Sequence, residues 1–281
     1  MNDGLSYTPP LKIGEVMVGE SVGRVIESKS KNYAVGDLVT VHQGWQTYIR
    51  TKDSDPSILK VPESKFNSSI FLGTLGMPGR TAYFGLNYVG KPQPGETLVV
   101  SAASGAVGGV VGQLGKQMGC KVIGIAGTDQ KCGLICKEYG FDGAINYKTE
   151  NISDKLKELC PEGVNVYFDN VAGSTLDAVL ENMTNFGVIA VCGLLENYVS
   201  SERLPGPYNY DLILMKRLRF EGFFSPDFYH REAEINPILK NWDKSGLLRL
   251  PIEVTDGLEN LVSAYSKLFE GSNIGKVVVK V

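Results

Sequence analysis

The stretch 96–128, ETLVVSAASGAVGGVVGQLGKQMGCKVIGIAGT, constrains the fold of this chain more than any other. Leu98-Val99-Val100 is a short apolar run, the kind of strand that a parallel sheet buries on both faces. From Ser101 to Gly108 the only sizeable side chain is Val107. Val107, Val110, Val111, Leu114 and Met118 then follow at i, i+3, i+4, i+7 and i+11, the apolar stripe of one helix. Gly119 stands where a helix C-terminus takes a left-handed residue, and Val122-Ile123-Gly124-Ile125 resumes as a strand. A right-handed βαβ unit of this kind offers backbone amides and a helix N-terminus to a pyrophosphate. The turn reads Ala-x-x-Gly-x-x-Gly (Ala102, Gly105, Gly108), not the strict three-glycine form. Glycines there can also serve only to pack a helix close on a sheet. The strand before the turn and the helix and strand after it are what favour dinucleotide binding.

Strands and helices go on alternating downstream. Thr128 predicts the N-cap of a helix reaching Tyr139, and residues 144–147 predict a strand. Ser153 predicts the cap of a helix stopped by Pro161, followed by a strand over 164–171 and a helix marked by Leu176, Val179, Leu180 and Met183. Residues 188–192 and 217–224 predict further strands, with a loop through Pro207 and a helix over 212–216 between them. This is the pattern of a doubly wound parallel sheet. Before Leu72, short strand candidates at 16–18, 22–26, 38–41 and 45–49 suggest a small barrel or sandwich. At the other end, residues 235–248 predict an amphipathic helix. Asp256-x-x-Glu259 has capping-box spacing for a helix over 258–269, and 276–281 closes as a strand.

A length of 281 residues allows one large or two modest domains. Charged residues make up 21% with a net charge of -3, and the basic ones are scattered, so neither disorder nor a nucleic-acid surface is indicated. No apolar run is long enough for a bilayer and no signal-like start is present, so a cytoplasmic protein without membrane contact is expected. The five cysteines read as reduced thiols. Cys132 and Cys136, four apart, lack a histidine or second cysteine pair that would make a metal site. His42 and His230 are isolated, and no Gly-x-Ser-x-Gly elbow occurs.

Cofactor choice follows from the second strand of the unit. An NAD site places a carboxylate at its end, but here it ends Ile125-Ala126-Gly127. Asp129 is the nearest acid and belongs more naturally to the first turn of the next helix. Lys131 and Lys148 stand close enough in sequence to neutralise a phosphate, so NADP(H) is favoured over NAD. Asn170 and Tyr198 fall after the C-terminal ends of strands, the side where such sheets bind ligands. Taken singly, Asn170 also reads as an Asx-turn residue and Tyr198 as an ordinary loop tyrosine.

Several strings together resemble one family: FLGTLGMPGRTAYFGL (71–86), AASGAVGGVVGQ (102–113), INYK (145–148), YFDNVAG (167–173), CGLLENY (192–198) and SNIGKVVVK (272–280). The chain resembles, over essentially its whole length, the zinc-free medium-chain dehydrogenases/reductases, in the branch of prostaglandin reductases, leukotriene 12-hydroxydehydrogenase and plant double-bond reductases. The resemblance implies an α/β fold, a doubly wound parallel Rossmann sheet inserted into a GroES-like β domain. Residues 1–72 would form the first part of the catalytic domain, 73–250 the NADP-binding domain, and 251–281 the return to the catalytic domain. Family members carry a further stretch of barrel before the place matching Met1, so the GroES-like domain would be incomplete at its N-terminus.

By the same resemblance, Gly105, Ala106, Val107 and Gly108 would hold the pyrophosphate. Lys131 would pair with the adenosine 2′-phosphate, with Tyr147 beside it, and Asn170 would contact the nicotinamide half. Cys192, Gly193, Tyr198, Phe223, Phe224, Ser225 and Asn273 would line the nicotinamide and substrate cleft. Where zinc-dependent relatives have Gly-His-Glu, this chain has Val18-Gly19-Glu20, and the cysteine-rich lobe is missing, so no zinc is implied. Ala172 stands where the family usually has glycine, read as a mild change. The implied activity is NADPH-dependent reduction of the carbon–carbon double bond of an α,β-unsaturated ketone or aldehyde, prostaglandin-like or alkenal, with Tyr198 as the catalytic donor. A quinone reductase, or an inactive NADPH-binding isoform, are the alternatives. Strand 217–224 would pair with its twin in a homodimer.

Overall fold

The computed structural model describes residues 10–64, 67–199 and 205–281. The very start of the chain and part of the loop before Pro207 therefore lie outside the described residues. The first layer is an antiparallel sheet of β1 (Glu20–Arg24), β2 (Leu38–His42) and β3 (Leu59–Lys60). β2 is buried on both faces: Val39 and Val41 pack with Ile58, and Leu38 joins the larger core. The candidate strands at 16–18 and 45–49 are not strands. Trp45 turns its ring edge-on to Tyr265, with centroids 5.5 Å apart, a long-range contact that outweighs local strand preference.

Helix α1 (Met77–Phe84) starts with Pro78 in its first turn, where the missing N–H costs nothing, and runs into a π-helical stretch over Gly85–Gly90. The alternating region follows in chain order: β4 (Thr97–Val100), α2 (Gly108–Gln117), β5 (Lys121–Ala126), α3 (Asp129–Lys137), β6 (Gly143–Asn146), α4 (Ile152–Leu159) and β7 (Val164–Asp169). It continues with α5 (Gly173–Asn182), β8 (Met183–Val191), α6 (Leu195–Val199), α7 (Tyr210–Met215) and β9 (Arg219–Gly222). These strands form one parallel sheet in the order β6-β5-β4-β7-β8-β9. Strand order reverses between β4 and β7, which makes the crevice beyond their C-terminal ends the ligand-binding position of the fold. The chain ends with α8 (Glu232–Ser245), β10 (Ile252–Asp256), α9 (Leu261–Glu270) and β11 (Lys276–Lys280), the last two strands pairing in parallel.

Period-two alternation divides the core between the faces of the sheet. Leu98, Val100, Val122, Val166 and Phe168 pack with Val110, Val111 and Leu114 of α2 and with Ile235, Leu239 and Trp242 of α8. Val99, Ile123, Ile145, Tyr167 and Ile189 pack with Leu156 of α4 and with Leu176, Val179 and Leu180 of α5. Each such side chain contributes about 1.5–3 kcal/mol by leaving water.

Two caps differ from expectation. Thr128 accepts from the Lys131 amide at 3.2 Å, as its position predicts. The cap of α4, however, is Asn151, which accepts from the Asp154 amide at 3.0 Å. Ser153 lies inside the first turn and donates to Glu181, a partner on α5 that no local pattern reveals. The capping box at Asp256 does not form. Asp256 ends β10, paired with Lys280, and a short 3-10 turn over Leu258–Asn260 precedes α9.

Ala172 is not a mild exchange for glycine. Its backbone sits at φ 67°, ψ -152°, a region essentially reserved for glycine, at a cost on the order of 1–3 kcal/mol. Ala172→Gly is therefore expected to raise the unfolding free energy by about 1 kcal/mol, part of the relief being offset by the freer unfolded chain. Urea denaturation measures this, and an unchanged or lower midpoint would contradict the strain.

Candidate active site

The turn after β4 is built from backbone contacts. The Gly105 amide donates to Ala102 O at 2.9 Å, and a Cβ on Gly108 would come within 2.5 Å of that same oxygen. The first amide spent inside the helix is that of Gly109, to Gly105 O at 2.9 Å. Among the described residues no main-chain carbonyl takes the amides of Val107 or Gly108, which stand at the helix N-terminus open to an anion. The C-terminal segment closes over this turn. Gly275 donates to Ser104 O at 2.9 Å and pairs with Gly105 as a parallel bridge, two residues after Asn273.

At the adenosine end, Gly127 makes room for the Tyr147 ring, since a Cβ there would approach it to 3.0 Å. The position an NAD site gives to a carboxylate is thus covered by an aromatic ring. Asp129 is committed elsewhere, accepting from Asn146 Nδ2 at 2.7 Å. Lys131 is only 7% exposed and donates from Nζ to Gly271 O at 2.7 Å, at the left-handed C-cap of α9. Burial lowers its pKa, the Lys148 charge lowers it further, and Glu253 opposes both. A buried cation beside a second cation, with a carbonyl as its hydrogen-bond acceptor, is electrostatically ready for a phosphate. The residues present therefore fit a 2′-phosphorylated dinucleotide.

Beyond β7 lies the other wall of the crevice. Asn170 donates from Nδ2 to Ser101 O at 2.8 Å, so its side chain spans the switch point instead of closing a local Asx turn. Cys192 and Gly193 donate their amides to Asp169 O at 2.8 and 3.1 Å. The Cys192 thiol, pushed up to about 12 by burial and then by the Asp169 charge, is no nucleophile and serves as a packing group. Tyr198, on α6, is 53% exposed. Phe224 is partly exposed, whereas Phe223 turns inward, its ring 5.9 Å from that of Phe168 and pressed against Gly85. Phe223 is partly buried, packed against the first core cluster. Ser225 is buried, and its hydroxyl has no partner among the described residues.

Residues that sequence reasoning passed over are Ser101, Asp169, Gly271 and Gly275. A signal existed for Asp169, the one carboxylate in the otherwise apolar run Val166-Tyr167-Phe168-Asp169.

A cavity of about 1300 Å³ lies elsewhere, between the antiparallel sheet and the β10–β11 pair. Glu20 and Lys276 line it. Burial raises the Glu20 pKa against the pull of Lys276, and Glu20 Oε2 is enclosed without a hydrogen-bond partner among the described residues. We place the candidate site at the switch point, where Asn170 binds Ser101 of the turn and the carbonyls of 169–171 hold the chain that leads to Tyr198.

The fold and this site define a medium-chain dehydrogenase/reductase. Residues 106–241 match the zinc-binding dehydrogenase family, and residues 1–59 match the N-terminal domain of oxidoreductases. The chain is 42% identical to the NADPH-dependent curcumin reductase of Escherichia coli, over 100% of this chain and 82% of that protein. It is 41% identical to a 2-alkenal reductase (NADP(+)-dependent) of Nicotiana tabacum, over 98% of this chain and 80% of that protein. CurA from Vibrio vulnificus in complex with NADPH superposes with a TM-score of 0.92 at 39% identity, over 100% of this chain and 84% of that one. The chain belongs to this family, in the branch of prostaglandin, alkenal and curcumin reductases, and is an oxidoreductase.

The family's zinc does not fit here. A Cβ on Gly19, at the place of the histidine ligand, would meet the Trp45 indole nitrogen at 2.8 Å. Among the described residues no three His, Cys, Asp or Glu side chains are grouped to hold a metal ion, and no helix is long and apolar enough to cross a membrane.

Proposed function

We propose that this chain reduces the carbon–carbon double bond of α,β-unsaturated ketones or aldehydes, prostaglandin-like or alkenal, with NADPH. The observation that carries this reading is the junction at the switch point, where Asn170 binds Ser101 of the turn and the carbonyls of 169–171 hold the chain that leads to Tyr198. The cofactor is NADP(H), which when bound supplies hydride to the β-carbon of the substrate. Gly105, Ala106, Val107 and Gly108 hold the pyrophosphate. Lys131 and Tyr147 hold the adenosine 2′-phosphate end. Asn170, Cys192, Gly193 and Asn273 border the nicotinamide half, with the segment Phe223, Phe224 and Ser225 behind it. The Tyr198 hydroxyl donates to the substrate carbonyl oxygen as negative charge collects there, the kind of preorganised donor that lowers a barrier most. No step is assigned to a metal.

We read residues 73–250 as the cofactor domain and 1–72 with 251–281 as the catalytic domain. β9 has a single neighbour in the sheet, and Leu214, Met215 and Phe220 near it are exposed, which supports pairing with a second copy. A monomeric mass in solution would remove that pairing.

NADPH oxidation followed with an enone, an enal and a quinone tests the activity, alongside NADPH titration by fluorescence. Turnover with the enone or enal is expected. Turnover with the quinone alone would overturn the substrate class, and binding without turnover would overturn catalysis.

A further inference from the structure

Asp169 is wholly buried at the C-terminal end of β7, beside the switch point. Its Oδ1 accepts four hydrogen bonds: from the Tyr167 hydroxyl at 2.9 Å, the Ser101 hydroxyl at 3.3 Å, and the Val171 and Ala172 amides at 2.9 Å each. Its Oδ2 is enclosed with no partner among the described residues. A buried carboxylate with one oxygen left unpartnered is costly, which calls for a task an apolar residue could not perform.

The contacts indicate that task. Ser101 is the first residue after β4 and leads into the pyrophosphate turn. Besides donating to Asp169, its hydroxyl accepts from the Asn170 amide at 2.9 Å, and its carbonyl accepts from Asn170 Nδ2 at 2.8 Å. On the other side, the amides that Asp169 captures hold the turn containing the strained Ala172. The carbonyls of that same turn carry the next loop: Asp169 O takes the Cys192 and Gly193 amides, Asn170 O takes Leu195 at 3.2 Å, and Val171 O takes Glu196 at 3.1 Å. Glu196 reaches back to the Ser174 amide at 3.2 Å, at the start of α5. Tyr198 lies two residues further on. One carboxylate thus joins the cofactor turn to the loop bearing the proposed donor.

We propose that Asp169 is a positioning residue that sets, through Ser101 on one side and the 170–172 turn on the other, the spacing between the pyrophosphate turn and the Tyr198 loop. Only the link to turnover rests on the enone reduction proposed above. The clasp itself concerns the order of a loop and a cofactor site.

Asp169→Asn and Ser101→Ala test it, singly and together. Asparagine keeps an acceptor for the four donors but loses the charge that strengthens them, and it puts an amide group where Oδ2 has no partner. Asp169→Asn is expected to melt cooperatively while amide hydrogen exchange at 171–172 and 192–196 quickens selectively, on the order of tenfold. The NADPH dissociation constant should rise by roughly three- to tenfold, and kcat should fall by more than the fraction unfolded explains. Ser101→Ala should give the same local pattern, and the double variant should be no worse than Asp169→Asn alone, as for residues acting through one contact. Exchange that quickens evenly over the chain, unchanged exchange at 192–196, or strictly additive losses would each overturn the clasp. If the wild type reduces no enone, the exchange and titration readouts still decide the clasp. Conversely, an active wild type with an unmoved loop in Asp169→Asn sinks the clasp and leaves the reductase reading intact.

Discussion

Tyr198→Phe is expected to lower kcat for an enone by about 10²–10³-fold, the cost of removing one preorganised donor to a developing oxyanion. The NADPH dissociation constant should stay within about twofold, because the hydroxyl is assigned to the substrate oxygen and not to the cofactor phosphates. Half exposure of the ring in the free protein suits this role, since the hydroxyl must be open to an incoming carbonyl. Stopped-flow NADPH oxidation with fluorescence titration separates the two quantities. Turnover equal to the wild type would take Tyr198 out of the chemistry, and a parallel loss of cofactor affinity would recast it as a binding residue.

Lys131→Ala should weaken NADPH binding by roughly 10–100-fold, the range of a charge-assisted hydrogen bond to a phosphate, and leave NADH binding nearly unchanged. The direction follows from the free protein. Lys131 is buried, its pKa is lowered first by burial and then by Lys148, and among the described residues only the Gly271 carbonyl takes one of its three donors. A dianionic phosphate favours the ammonium form, so NADPH binding takes up protons wherever the free lysine is partly neutral. NADPH affinity should accordingly fall with rising pH through the lowered lysine pKa, earlier than an ordinary lysine would dictate. That slope should vanish in Lys131→Ala and should be absent for NADH in both proteins. Equal losses for the two cofactors would contradict the phosphate role, and a thermal melt checks that the variant remains folded.

How much of this was legible in the sequence depends on how far apart the interacting residues lie. The apolar stripe from Val107 to Met118, the helix stop at Gly119 and the Thr128 cap all act within one or two turns of chain, and the structure keeps them. The reading of Asp129 as a first-turn residue also holds, although its Asn146 partner is not local. Caps were misplaced where a distant group competed: Ser153 is drawn to Glu181, and Asp256 is held by pairing with β11. Phe223 reads as cleft lining by resemblance, and its packing against Phe168 and Gly85 depends on partners far away in the chain. Asn273 entered through family resemblance alone, because nothing within its own segment announces that Gly275 will pair with Gly105.

The sequence by itself determined the parallel sheet, the position of the phosphate turn and the preference for a 2′-phosphorylated cofactor, since each is written in periodicity, in turn residues or in a missing carboxylate at Gly127. Only the tertiary structure decided that Tyr147 covers that missing acid, that Ala172 is strained, and that Asp169 ties the cofactor turn to the Tyr198 loop. Periodicity and turn chemistry are properties of a few neighbouring residues. Burial and the ownership of a hydrogen bond are set by partners tens of residues away, which become neighbours only when the sheet has closed.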